Sequence, residues 1–209
     1  MGRSFIRTVV WLGGIFGAIG VLLYLFVFDT MVVPGTDPLF VTSIMPTLYP
    51  EDRILVRRGS EPREGQLVRC ASPDPSTPFV IGRVMGSPGA TVELRDERVF
   101  VNGKPLVSRH MCDPMMVSHP ITGQAMKLDC HAEETGAWTY EYLVAAEHPE
   151  GFRSAVIEPG KLFLVSDNRH LHQDSRDFGQ VDASTCEHVV FRLWGESFVD
   201  SRRRFTLLY

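Results

Sequence analysis

From Val9 to Phe28 the chain carries no charged residue, and these twenty residues at 1.5 Å rise make a helix of about 30 Å. That is the thickness of a bilayer's hydrocarbon core, so no other feature constrains the fold as much. The run is longer than the apolar segment of a secretory signal. No small-x-small cleavage pattern follows it in DTMVVPGTDP, which predicts an uncleaved transmembrane helix. Arg3 and Arg7 precede the run and Asp29 follows it. Because positive residues stay on the cytoplasmic side, residues 1–8 are expected as a cytoplasmic tail, 9–28 as the single span and 29–209 as an extracytoplasmic domain. The expected location is the cell (inner) membrane, with membrane lipid as a partner.

The part after the span suffices for one sizeable core and falls short of two comfortable domains. All 25 acidic residues lie in it, against 21 basic residues in the whole chain, and no basic stripe is present. Nucleic acid is therefore excluded as a partner. Short apolar segments at 53–58, 66–71, 79–85, 138–145, 161–166 and 189–194, bounded by Gly, Pro, Asp or Ser, read as strands. Residues 90–106 read as a small meander turning at Asp96-Glu97 and Asn102-Gly103. Three prolines in ASPDPSTPF (71–79) mark an exposed loop. The fold class is predominantly β, with an irregular insertion around 108–137.

Cys70, Cys112, Cys130 and Cys186 show no CxxC spacing, which argues against a zinc ribbon or a thioredoxin-like motif. In an oxidising compartment Cys112 and Cys130, which bracket the insertion, are expected to pair and restrain a segment with little periodicity of its own. The alternative is four unpaired, buried thiols. No metal or nucleotide motif is present, so no cofactor is expected.

Two polar clusters stand out: TSIMPTLYPED at 42–52 and VSDNRHLHQDSRDFGQV at 165–181. A charge run is usually a solvated loop, but carboxylates spaced around an arginine also buttress sites on loops. SIMPTL, then the strand RILV, then GRVMGSPG, then SDNRxxxxDSRxxG, in that order after one amino-terminal apolar run, resembles the type I signal peptidase family. The resemblance covers most of residues 5–195. It implies a signal-peptidase-like β domain and a membrane-anchored serine endopeptidase that removes signal peptides from exported preproteins at the membrane surface. By match to the motif, Ser43 is the nucleophile, and Asp167, Asp174 and Arg176 belong to a supporting network. The family's substrates carry small residues before the cleavage site, which implies shallow apolar pockets, here expected from Leu39, Ile44, Leu48 and Ile81. Only fourteen residues separate Asp29 from Ser43, at most about 50 Å of extended chain, so the serine stays near the bilayer.

The sequence departs from the family's pattern at the base. Where a lysine is expected as general base stands Gly82, and Lys104, Lys127 and Lys161, the chain's only lysines, match no catalytic position. A serine hydroxyl without a base forgoes a rate contribution of about 10²–10⁴. Val41 replaces the small or hydroxyl residue often found at the oxyanion hole, leaving the Ser43 N–H as the obvious donor and Thr42 as a second source. Where the family commonly has a serine near its lysine stands His172, expected as the replacement base, with His170 as the fallback. Both histidines as plain solvent-facing residues is the competing reading. Two other functions stay open: a catalytically inactive relative that binds signal peptides, and a specialised conjugation-type processing peptidase.

Overall fold

A computed structural model describes residues 2–109, 112–135, 138–146 and 154–208. Of the insertion expected around 108–137, residues 110, 111, 136 and 137 lie outside the described residues. The apolar run forms helix α1 (Gly2–Val27), whose segment Phe5–Val27 is long and apolar enough to cross a membrane and is not buried in the rest of the protein. The helix ends one residue earlier than the uncharged run does, because Phe28 already opens strand β1 (Phe28–Val32). Carbonyls of the last turn lack intrahelical partners. Arg58 supplies them: its N–H donates to Val27 O at 2.8 Å and its guanidinium to Leu25 O at 3.1 Å.

After β1 come a single helical turn α2 (Pro38–Ser43) and strands β2 (Arg53–Arg57), β3 (Leu67–Ala71) and β4 (Phe79–Gly86). Then follow β5 (Thr91–Arg95), β6 (Arg98–Val101), β7 (Lys104–Pro105), β8 (Val107–Arg109), β9 (Met115–Ser118), β10 (Ala125–Thr135) and β11 (Trp138–Val144). The chain closes with β12 (Ser154–Val156), β13 (Lys161–Val165), the short helix α3 (Ser175–Phe178), β14 (Val181–Asp182), β15 (Glu187–Trp194) and β16 (Thr206–Leu207). The main sheet is antiparallel in the order β1-β2-β15-β3-β4-β13-β14, with β16 added to β15. Strands β12-β5-β6-β7 form a second sheet and β11-β10-β8, with β9 on β10, a third. The meander turns where expected, with positive φ at Asp96, Glu97, Asn102 and Gly103 as tight hairpins demand.

The insertion is less irregular than the sequence suggested. Its strand β10 runs eleven residues and pairs with β8, β9 and β11. Leu128, Cys130 and Ala132 are buried and alternate with the less buried Lys127, Asp129 and His131, a period of two over this stretch that ends at Glu133, which is buried as well. Cys112 is bonded to Cys130, the expected pair. A second disulfide, Cys70 to Cys186, joins β3 to the residue preceding β15, two segments that the sheet order places side by side. Its partners lie 116 residues apart, so nothing local signals it.

One core cluster matters for the site. Phe40, Val41 and Ile44 from α2 and its end pack with Leu48, Ile54, Val56 and Ile81, fixing the serine segment on the main sheet. In β4 the register sets Arg69 opposite Ile81 and Val68 opposite Gly82, so Ile81 and Gly82 face opposite sides of the sheet.

Candidate active site

Helix α2 is built to hold a short turn. Asp37 is its N-cap, with Oδ1 accepting from Leu39 N at 3.0 Å and Phe40 N at 3.2 Å, and Pro38 occupies the first position. Both are favoured there: the aspartate satisfies free N–H groups and the proline has none to leave free. Ser43 is the last helical residue and is fully buried. Its Oγ donates to Phe40 O at 2.8 Å. The Thr42 hydroxyl also turns back, donating to Pro38 O at 2.9 Å and Leu39 O at 3.0 Å, so it does not point outward as an oxyanion donor.

The second motif reaches this turn through Asn168. Its N–H donates to Ser43 O at 3.0 Å, its Nδ2 to Thr42 O at 3.0 Å, and its Oδ1 accepts from Leu171 N at 2.9 Å. One buried amide therefore ties the serine's backbone to the loop that carries His170 and His172. Asp167 beside it forms a fork with Arg83: Oδ1 accepts from Nε at 2.9 Å and Oδ2 from Nη2 at 2.8 Å. Both side chains are buried, and Asp167 Oδ2 also accepts from Thr47 Oγ1 at 2.5 Å. Arg83 continues to Gly65 O at 2.7 Å and lies over the Tyr140 ring. Two-pronged pairs of this kind fix orientation as well as charge.

Asp174 and Arg176 make a second fork, Oδ1 with Nε at 2.9 Å and Oδ2 with Nη2 at 2.8 Å. Asp174 also accepts from Ser166 N at 2.7 Å, and Arg176 reaches Arg169 O at 2.9 Å, so the loop is closed on itself. Burial pushes the Asp174 carboxyl up, but the Arg176 guanidinium and the other hydrogen bonds outweigh it and hold it down at about 2.

His172 is part-exposed, and its Nδ1 lies 2.8 Å from Asp177 Oδ2. It lines a cavity of about 290 Å³ together with Leu39, Val80, Phe178, Asp74 and Asp177. Leu39 sits one helical turn before Ser43 and shares its face of α2. His170 turns elsewhere, with Nδ1 3.2 Å from Glu97 Oε1 in the β5–β6 turn. Of the expected pocket residues, Leu39 lines the cavity, whereas Ile44, Leu48 and Ile81 pack in the core cluster described above. The position of the missing lysine is not a void. A Cβ on Gly82 would stand 3.1 Å from Leu164 Cβ and 3.6 Å from Val165 O.

Sequence reasoning passed over Asn168, Thr47, Arg83 and Asp177 as functional residues. All four stand inside the quoted motifs. Asp177 had its own signal, the spacing Asp174-x-x-Asp177 of a capping box, which forms in full.

Fold and site together put the chain among β-rich domains tethered by one amino-terminal apolar helix. The family model described as "Signal peptidase, peptidase S26" matches residues 5–194, and the chain belongs to that family. It is similar to a signal peptidase I of Bacillus licheniformis, 28% identical over 182 residues that cover 83% of this chain and 82% of that one. A signal peptidase IB of Staphylococcus aureus strain Mu50 is 30% identical over 115 residues, 54% of this chain and 52% of that one. A crystal structure of a signal peptidase I from Enterococcus faecalis V583 overlaps 63% of this chain and 97% of its own, at 24% identity and a TM-score of 0.38. The family is one of membrane-anchored serine peptidases that cleave signal peptides.

Proposed function

We propose that the protein is a serine endopeptidase that removes amino-terminal signal peptides from exported preproteins after small-x-small motifs, with Ser43 as nucleophile and His172 as general base. The observation that carries this is the Asn168 clamp, which joins the serine turn and the histidine-bearing loop through two hydrogen bonds to consecutive carbonyls. In the reaction Ser43 Oγ bonds to the scissile carbonyl carbon while its proton passes to His172 Nε2, which then gives that proton to the leaving amine as the C–N bond breaks. Water attacks the resulting ester by the same route, returning a proton to Ser43. Before the first step Ser43 Oγ must leave the Phe40 carbonyl, a rotation about one side-chain bond.

The domain lies outside the cytoplasm and the amino terminus inside, because Arg3 and Arg7 precede the span. Strand β1 begins directly at the helix end, which keeps the site close to the membrane where tethered preproteins arrive. A second reading, an inactive relative that binds signal peptides without cutting, is favoured by one observation: Ser43 is fully buried with its hydroxyl committed to Phe40 O, and no lysine faces it from position 82.

The test is cleavage of a preprotein bearing an Ala-x-Ala site by the purified full chain in detergent. Cleavage that Ser43→Ala abolishes and His172→Ala reduces by about 10²-fold or more supports the proposal. No cleavage by the wild type, with retained binding of the signal peptide, establishes the inactive reading instead.

A further inference from the structure

We infer that Asp177 is a positioning residue for cleavage, holding His172 in the tautomer and orientation a general base needs; the inference rests on the base assignment above. A carboxylate offers only acceptors, so the 2.8 Å contact requires His172 Nδ1 to carry the hydrogen. The neutral imidazole then keeps its lone pair on Nε2, the form that takes a proton from a serine. When that proton arrives, the imidazolium faces a fixed negative charge and is stabilised in place.

The carboxylate is not free to wander. The same Asp177 Oδ2 accepts from Asp174 N at 3.0 Å, closing the capping box of α3, while Asp174 Oδ1 accepts from Arg176 N at 3.0 Å. Asp174 is in turn pinned by Arg176 and by Ser166 N. The chain of fixed groups therefore runs from the buried fork through the helix cap to the ring. Charged groups around His172 are Asp174 and Asp177 from α3 and its cap, and Asp74 across the cavity. Among the described residues, Asp177 is the one that bonds the ring.

Two substitutions, alone and combined, decide it. Asp177→Asn puts a neutral amide where one carboxylate oxygen accepts from both Asp174 N–H and His172 Nδ1–H, so the negative charge facing the ring is lost whichever way the amide turns, and with Nδ2 in that place the ring hydrogen also moves to Nε2. Cleavage of the Ala-x-Ala preprotein should lose about 10²–10⁴ in kcat, with KM changed less than about threefold and the melting temperature nearly unchanged. Added to His172→Ala, the same change should cost nothing further, since a residue acting through the ring has nothing left to position. Nitrogen-15 NMR of histidine-labelled full-length protein in detergent should show neutral His172 protonated on Nδ1 in the wild type.

Full activity in Asp177→Asn beside a large loss in His172→Ala overturns the role of Asp177 and leaves the base assignment standing. Full activity in His172→Ala, or no cleavage by the wild type, overturns both. An equal loss on both backgrounds with a lowered melting temperature reduces Asp177 to a helix cap. Wild-type His172 protonated on Nε2 refutes the inference directly.

Discussion

Substituting Gly82 tests whether the place of the family's lysine is still open. In a strand interior glycine is unfavourable, and Gly→Ala at a compatible backbone gains about 0.5–1 kcal/mol. Here that gain is outweighed. The new Cβ would stand 3.1 Å from Leu164 Cβ, closer than ordinary van der Waals contact, and within reach of Leu164 Cδ1 at 3.7 Å. Because both β-carbons are fixed to their backbones, strands β4 and β13 must part, not merely a side-chain tip. Overpacking of this kind costs about 1–3 kcal/mol, so Gly82→Ala should lose about 1–2 kcal/mol on balance. For a chain of this size that is a fall of about 2–8 °C in melting temperature, read by near-ultraviolet circular dichroism of the full protein in detergent. Gly86 gives the internal control: its added Cβ would collide more severely with Val92 Cγ2, so Gly86→Ala should fall further. Gly82→Lys with His172→Ser meets the same barrier and must also seat a long stem, so restoring a lysine base requires β13 to shift. A Gly82→Ala protein as stable as the wild type, or more stable, would refute the packing argument and reopen the site to a lysine.

Acid should unfold the protein in two stages. Burial and the nearby Arg57 and Arg83 hold the His188 imidazole down at about 4, and Asp174 is held at about 2. In both cases the unfolded chain binds protons first. Stability is thus lost as pH falls from about 6.5 to 4 through His188 and from about 4 to 2 through Asp174, the latter step being worth about 2 kcal/mol. Asp174→Asn should remove that second step from a melting series in pH and lower stability at pH 7. Peptide mass spectrometry without reductant should find Cys70–Cys186 and Cys112–Cys130 linked; opening the first, across 116 residues, should destabilise by about 4–5 kcal/mol and the second, across 18, by about 3. Protease added to intact spheroplasts should cut within residues 30–209, and protection of that region would reverse the orientation.

What the sequence made legible follows the range of the forces involved. The helix was legible because twenty uncharged residues admit one reading, and six strands because each carries its apolar period within a few residues. The eleven-residue strand β10 was missed although Met126, Leu128, Cys130 and Ala132 alternate with polar residues, because alanine and cysteine are weak markers of an apolar face. Phe28 falls in the uncharged run and DTMV carries no strand signal of its own, yet FDTMV is edge strand β1, its pairing with β2 being a contact to residues 53–57 that nothing local announces. The disulfide Cys70–Cys186 was hidden for the same reason.

At the site the motifs gave residue identities but not directions. Ser43, Asp167, Asp174 and Arg176 stood in recognisable patterns, yet no pattern says that Ser43 Oγ rests on Phe40 O or that Leu164 crowds Gly82. The proposed base illustrates the difference most clearly. A lysine at position 82 would project from a central strand, its direction set by the sheet register, whereas His172 projects from a loop and takes its direction from whatever bonds Nδ1. Moving a base from a strand to a loop exchanges orientation fixed by register for orientation fixed by a cap. On the proposed assignment the partner that supplies it, Asp177, is as much a part of the base as the ring itself, and a base carried on that loop works only while the cap of α3 holds the loop in place.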